Sequence, residues 1–338
     1  MKRTIKLFSL LLSGLVAMQL NVSAQNDNKN DNNNNNDDKK YEFAKTKSVN
    51  KSYNVSSNDR LNIDNSFGKV EVHTWDRNEI KVDVTIEVSA TKESVAQRII
   101  DGITVNDSQS GKDISFKTNI KGNNNNGDGK NEKSNMKVNY NISMPASNPL
   151  HIENQFGSTI IPDYRGEVEL VSKFGSLTTG SLPNVKRLEV EFGHATFGNI
   201  TNGAISIKYS KATFEKVTGN IRLNLEFSTG VKMSIDNALT GLDVKASYST
   251  LNLKPVGDIP ASYSIMTSFG SFKNRTSVKF DGDDEDDDKG PHFDHKYNGK
   301  SGSGSIPVKV SSSFSNIILG EPAEGDMKSK DKSKSRTT

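Results

Sequence analysis

The stretch LEVEFGHATF, residues 188–197, has close variants on both sides of it. VSKFGSLTT (171–179) precedes it, and SIKYSKATF (206–214), LNLEFSTGV (223–231), VKASYSTLN (244–252) and IMTSFGSFK (265–273) follow. Each holds one aromatic residue followed by a small one. The aromatics are Phe67, Phe156, Phe174, Phe192, Tyr209, Phe227, Tyr248, Phe269 and Phe314. From Phe156 onward the steps are 18, 18, 17, 18, 21 and 21 residues, then 45 across an acidic insertion. A steady period of about 20 residues is the mark of a stacked repeat architecture.

Before each aromatic the apolar residues alternate, as in Ile221, Leu223, Leu225 and Leu242, Val244, Ala246. That is a β-strand with one buried face. After the aromatic the parity flips: Val70 and Val72, Ala195 and Phe197, Ala212 and Phe214, Leu251 and Leu253, Ile317 and Leu319 become the inward candidates. Phe227 is the exception, since Val231 and Met233 keep its parity. An odd step requires a bend or bulge, and the small residue (Gly68, Gly157, Gly175, Gly193, Gly270, or Ser210, Ser228, Ser249, Ser315) is where a tight corner fits. Turn signals recur at Arg165-Gly166, Asn202-Gly203, Gly219-Asn220 and Thr240-Gly241.

These patterns predict an all-β fold: a right-handed parallel β-solenoid, or β-helix-like stack, of coils of about 18–21 residues. Its repeats should stack Phe156, Phe174, Phe192, Tyr209, Phe227, Tyr248, Phe269 and Phe314 as an internal ladder. An antiparallel sandwich or meander is the competing arrangement, because it too has short alternating strands.

Residues 46–150 differ. NEIKVDVTIEVSA reads as one long half-buried strand, joined to Val70–Thr74 by a tight turn at TWDRNE (74–79). TKESVAQRIIDG reads as a short helix with Thr91 as N-cap and Gly102 as its end. DISFKTNI and MKVNYNISM add two strands, so an antiparallel layer is expected to cap the repeats. The stretch NIDNSFGKVEVHTWDRNEIKVDVTIEV, with the repeated FG and YS coils, resembles the bacterial "putative adhesin" β-solenoid family, a domain of unknown function. The resemblance spans roughly 50–320 and implies an exported repeat protein; it supplies no catalytic residues.

The ends and low-complexity runs divide the chain. Residues 1–24 read as a signal peptide: Lys2, Arg3 and Lys6, then an apolar run too short to span a membrane, then Val22-Ser23-Ala24. Residues 25–45 read as an Asn-rich disordered linker, 46–150 as the N-terminal β region, 151–320 as the repeats, with an acidic loop at 281–305, and 321–338 as a charged disordered tail. Lys2, Arg3 and Lys6 account for the whole excess of 44 Lys+Arg over 41 Asp+Glu. The remainder has no net charge to draw it to nucleic acid or an anionic membrane. With 0 Cys, disulfides, thiolate metal sites and thiol nucleophiles are excluded.

No catalytic constellation or cofactor motif stands out. His73, His151 and His194 read as surface residues. His292, Asp294 and His295, beside an acidic run, are the candidates for Zn²⁺ or Ca²⁺. The outward acids Asp163, Glu189, Glu191, Glu215, Glu226, Asp236 and Asp243 are scattered among Lys, unlike the two positioned carboxylates of a glycosidase. Trp75 and Tyr164 are the aromatic candidates for ligand contact, with hairpin closure the simpler role for Trp75. The expectation is a non-enzymatic, adhesin-like binding or scaffold protein of the bacterial envelope, in the periplasm or at the cell surface. Its partners would be envelope or host glycans or surface proteins. A polysaccharide lyase or hydrolase and an envelope-stress accessory are the alternatives.

Overall fold

The computed structural model describes residues 41–121, 133–281, 293–324 and 326. The N-terminal part contains β1 (Phe43–Asn54), β2 (Arg60–Ser66), β3 (Val70–Trp75), β4 (Glu79–Ala90), α1 (Glu93–Gly102), β5 (Ile103–Ser110), β6 (Asp113–Ile120) and β7 (Ser134–Pro145). The repeats supply β8 (Leu150–Gln155), β9 (Ser158–Ile161), β10 (Val168–Lys173), β11 (Ser176–Thr179), β12 (Val185–Glu191), β13 (His194–Lys208), β14 (Lys211–Glu226), β15 (Val231–Ser247) and β16 (Thr250–Pro255). Then come β17 (Ala261–Ser268), β18 (Ser271–Arg275), β19 (Phe280–Asp281), β20 (Asp294–Lys300), β21 (Ile306–Ser313) and β22 (Asn316–Gly320).

The expectation of a right-handed parallel β-solenoid is overturned. The strands join one 22-stranded mixed sheet, nearly closed and barrel-shaped. Neighbouring repeats do pair in parallel, as Leu188 with Ile205 and Leu223 with Val244. That pairing is only part of the sheet: β1–β4, β4–β7, β5–β6, β17–β20 and β19–β20 are antiparallel. A repeat period says which residues share a row. It does not say how the rows are joined or closed.

Chain order is broken near the C-terminus. β21 lies between β15 and β17, and β22 between β16 and β18, so the last strands fill a slot left open by earlier ones. β7 likewise lies between β3 and β4. The expected hairpin at 74–79 is therefore a crossover: Trp75 donates its indole N–H to the Glu79 carbonyl at 2.8 Å, but the strands on either side of the turn pair with β7 instead.

The interior is lined by the predicted alternating residues. Val70, Val72, Ala195, Phe197, Ala212, Phe214, Leu251, Leu253, Ile317 and Leu319 are all buried, and so are Val231 and Met233. The turn signals at Asn202-Gly203 and Gly219 are bends within long strands, with φ of 58°, 130° and 67° and register shifts beside them. Helix α1 buries Val95, Ala96 and Ile100, but its N-cap position is Lys92, with no side-chain cap, instead of Thr91. β1 begins at Phe43, inside the segment whose composition reads as linker. Its half-buried Lys45 reaches Glu93 and its Lys51 reaches Asp107 at 3.3 Å. Charges pointing inward from an edge strand discourage pairing with other chains.

Candidate binding surface

The aromatic ladder is outside. Phe156, Phe174, Phe192, Tyr209, Phe227, Tyr248, Phe269 and Phe314 are 43–53% exposed. The expected internal ladder is thus corrected, and the cause is backbone conformation. Each of these residues, and Phe67, has φ between 49° and 63°. A left-handed residue interrupts the alternation of a strand, so a side chain in phase with Leu225 by count turns outward at Phe227. The corner is made by the aromatic and not by the small residue after it.

Left-handed conformation at a bulky residue costs roughly 1–2 kcal/mol. Two observed features offset it. The backbone N–H of each of these residues bonds a carbonyl of the next row: Phe174 to Glu191 at 2.9 Å, Phe227 to Ser247 at 2.9 Å and Tyr248 to Ser313 at 3.0 Å. The rings also stack in spatial order, from Phe67 through Tyr248 to Phe314, Phe269 and Phe293. Tyr209 and Phe227 lie 5.0 Å apart, centroid to centroid, with planes 1° from parallel. That spacing is the strand separation itself. Ring faces are occupied by neighbouring rings, so the ladder presents a ridge of ring edges.

The small residues serve the same corner in two ways. At the glycines, backbones nearly touch: a β carbon on Gly175 would stand 1.9 Å from the Gly157 carbonyl oxygen. At the serines, hydroxyls link the rows. Ser228 Oγ accepts from the Ser210 N–H at 3.2 Å and donates to the Glu226 carbonyl at 2.9 Å, and Ser249 and Ser315 repeat this pattern.

Counting back from each aromatic gives columns of outward side chains. One residue back lie Lys173, Glu191, Lys208 and Glu226 on successive strands, alternating in sign. Five back lie His151, Glu169, Arg187, Ala204, Arg222, Asp243 and Lys309. Glu169 is held among Lys186 at 2.6 Å, Arg60 at 3.4 Å and His151 at 3.9 Å. The hydrogen bond from Lys186 holds its carboxyl below the usual range. These columns are visible in the sequence once the aromatic is used as the zero of each row; scanning for clusters by chain position misses them.

The remaining predicted residues do not converge. His73 and His194 are exposed. Asp294 accepts a hydrogen bond from the Ser268 hydroxyl, His295 lies beside Tyr297 with ring centroids 6.3 Å apart, and His292 is outside the described residues. Among the described residues no three His, Cys, Asp or Glu side chains gather as metal ligands. Tyr164 is no surface contact: it is 1% exposed, and its hydroxyl donates to the Asn148 carbonyl at 2.6 Å. Burial pushes that phenol's pKa up. Asp163 accepts from the Ser181 N–H at 2.7 Å, and Asp236 pairs with Lys216 at 2.6 Å. Arg77 lies 5.0 Å above the Trp75 ring. No described helix is long and apolar enough to cross a membrane.

No protein-family model and no curated protein matches the chain. Among solved structures, it is similar to a "putative cell adhesion protein" from Clostridium sporogenes, at 12% identity and a TM-score of 0.25 over 82% of this chain and 100% of that one. A "putative adhesin" from Bacteroides fragilis matches at 10% identity and a TM-score of 0.37, over 81% of this chain and 97% of that one. A "putative lipid binding protein" from Parabacteroides distasonis matches at 10% identity and a TM-score of 0.30, with the same coverage.

Proposed function

We propose that this chain is an exported, non-catalytic binding or scaffold protein of the bacterial cell envelope, adhesin-like in that it works by presenting a surface. The observation that carries this reading is the outward grid. Side chains recur at every strand step beside a ridge of stacked rings kept outside at a cost in backbone strain. Such a surface suits extended ligands that make many weak contacts in register, such as glycans or envelope proteins. The outward carboxylates support the same reading: Glu169, Glu189 and Asp236 are each committed to a cation at 2.6 Å. The signal-like start and the Asn-rich run at 25–45 suit export and a spacer.

The test is a pull-down of the mature protein against the organism's own envelope fraction and against a glycan panel, with the products analysed for cleavage. Saturable capture without bond breakage is expected. Cleavage of a polysaccharide that disappears on Glu189→Gln or Asp243→Asn would overturn the proposal in favour of a carbohydrate-active enzyme. Fractionation of cells decides between periplasm and outer surface.

A further inference from the structure

The column of residues five before each aromatic has one break. Arg187 and Ala204 stand side by side on adjacent strands, one position before the Leu188–Ile205 pair, and Ala204 pairs in turn with Arg222. Two arginines therefore flank a methyl group, two strand steps or roughly 10 Å apart. The neighbouring column, three before each aromatic, continues the gap with Ser206 and Asn224 between Glu189 and Lys245. The result is a trough of about 920 Å³ on the outer face of β12–β15.

Its charges are unequally satisfied. Arg187 is committed to Glu189 at 2.6 Å. Among the described residues Arg222 and Lys245 have no ion-pair partner within 4.0 Å, although Asp243 is the next residue along the column. The column one before the aromatics differs: there Lys208 meets Glu226 at 3.7 Å and the alternation neutralises itself. The trough is thus a place on this face where Arg222 and Lys245 stand without an ion pair beside the small side chains of Ala204 and Ser206, Asp243 being the acid next to Arg222 along the column.

We propose that the trough binds a carboxylate-bearing oligosaccharide, with Arg222 holding one uronate carboxylate through paired N–H donors. This deepens the proposed surface-binding role and rests on it. A saccharide fits better than a peptide for a reason of topology. β13 and β14 already have a partner on each side, so no free sheet edge offers main-chain bonds to an added strand. A sugar ring can lie on Ala204 and the arginine stems, with hydroxyls on Ser206 and on Asn224. The Asn224 amide N–H₂ is used on Glu226 at 2.8 Å, leaving its oxygen as an acceptor.

The experiment is calorimetric titration of the mature protein with tetragalacturonate, with its carboxyl-reduced neutral counterpart, and with tetraglutamate. Binding of the acidic sugar alone is expected. Arg222→Ala and Ala204→Glu should each weaken it at least tenfold, the second by placing a second carboxylate of the protein's own beside Arg222, on the side away from Asp243. Lys232→Ala, an exposed lysine outside the trough, should change it less than twofold. Three results would overturn the inference: no binding of the acidic sugar, equal binding of the neutral sugar or the peptide, or equal loss in Lys232→Ala. If saccharide binding fails while envelope capture persists, only this inference falls. If both fail, the surface-binding role falls with it.

Discussion

A β carbon on Gly157 would stand 1.8 Å from the carbonyl oxygen of Gly68, the glycine at the equivalent corner of the preceding row. No side chain, however small, fits without moving one row off the other. The glycine half of the corner column is set by this approach, since Gly157 itself does not have a positive φ.

Gly157→Ala is therefore expected to destabilise the protein by about 2–3 kcal/mol, as an overpacked core does. Ser249→Gly should cost only about 1 kcal/mol, because what is lost there is a hydrogen-bond link between rows. Urea unfolding monitored by circular dichroism ranks the two.

At Phe227 the left-handed backbone predicts an unusual order. Phe227→Ala removes two stacking contacts, at 5.0 and 4.9 Å, and keeps the strain. Phe227→Gly removes the contacts and relieves the strain. Alanine should destabilise by about 2 kcal/mol and glycine by about 1 kcal/mol less. In an ordinary strand glycine is the worse of the two, so a glycine variant less stable than the alanine variant contradicts the corner geometry.

Ending the chain after residue 305 removes β21 and β22 and leaves β15–β16 and β17–β18 facing an empty slot. The expected product loses cooperative unfolding, binds a hydrophobic dye and is cut by protease within the C-terminal strands. Ending it after residue 326 should do none of this. Limited proteolysis with mass spectrometry reads the difference.

Acid should loosen the C-terminal anchor. Asp326 bonds Lys273 at 2.7 Å and accepts from the Ala323 N–H at 2.9 Å, and with Arg275 nearby its pKa falls to about 2. A depressed carboxyl pKa contributes stability above its unfolded value, and that contribution is lost as pH falls through the folded value. Between about pH 4 and pH 2 the segment around Asp326 should detach, and in Lys273→Ala the carboxyl should titrate closer to pH 4. The Asp326 carboxyl resonance followed by NMR through an acid titration measures both.

Tyr164→Phe removes the hydroxyl that donates to the Asn148 carbonyl. The Asn148 amide in turn holds the Ser56 and Asp59 carbonyls at 2.7 and 2.8 Å. A loss of about 1–2 kcal/mol is expected, with no change in surface binding.

Much of the strand content was legible because period-2 alternation is a local consequence of burying one face, and Leu223, Leu225, Val244 and Ala246 are indeed inside. Misreading entered where a local rule was carried across a change of backbone conformation. Phe227 continues the parity of Leu225, so counting placed its ring indoors; a φ of 49° places it outdoors. Hydropathy pointed the same way, because large apolar side chains are ordinarily buried.

By itself the sequence determined the repeat: which residues occupy equivalent rows and which alternating side chains enter the core. Those follow from steric and hydrophobic preferences acting over a few residues. Only the tertiary structure decided that the rows join one mixed, nearly closed sheet, that β21–β22 enter between earlier strands, and that the rings face solvent. Strand pairing between distant segments depends on which edges remain unsatisfied when they meet. No window of sequence contains that information.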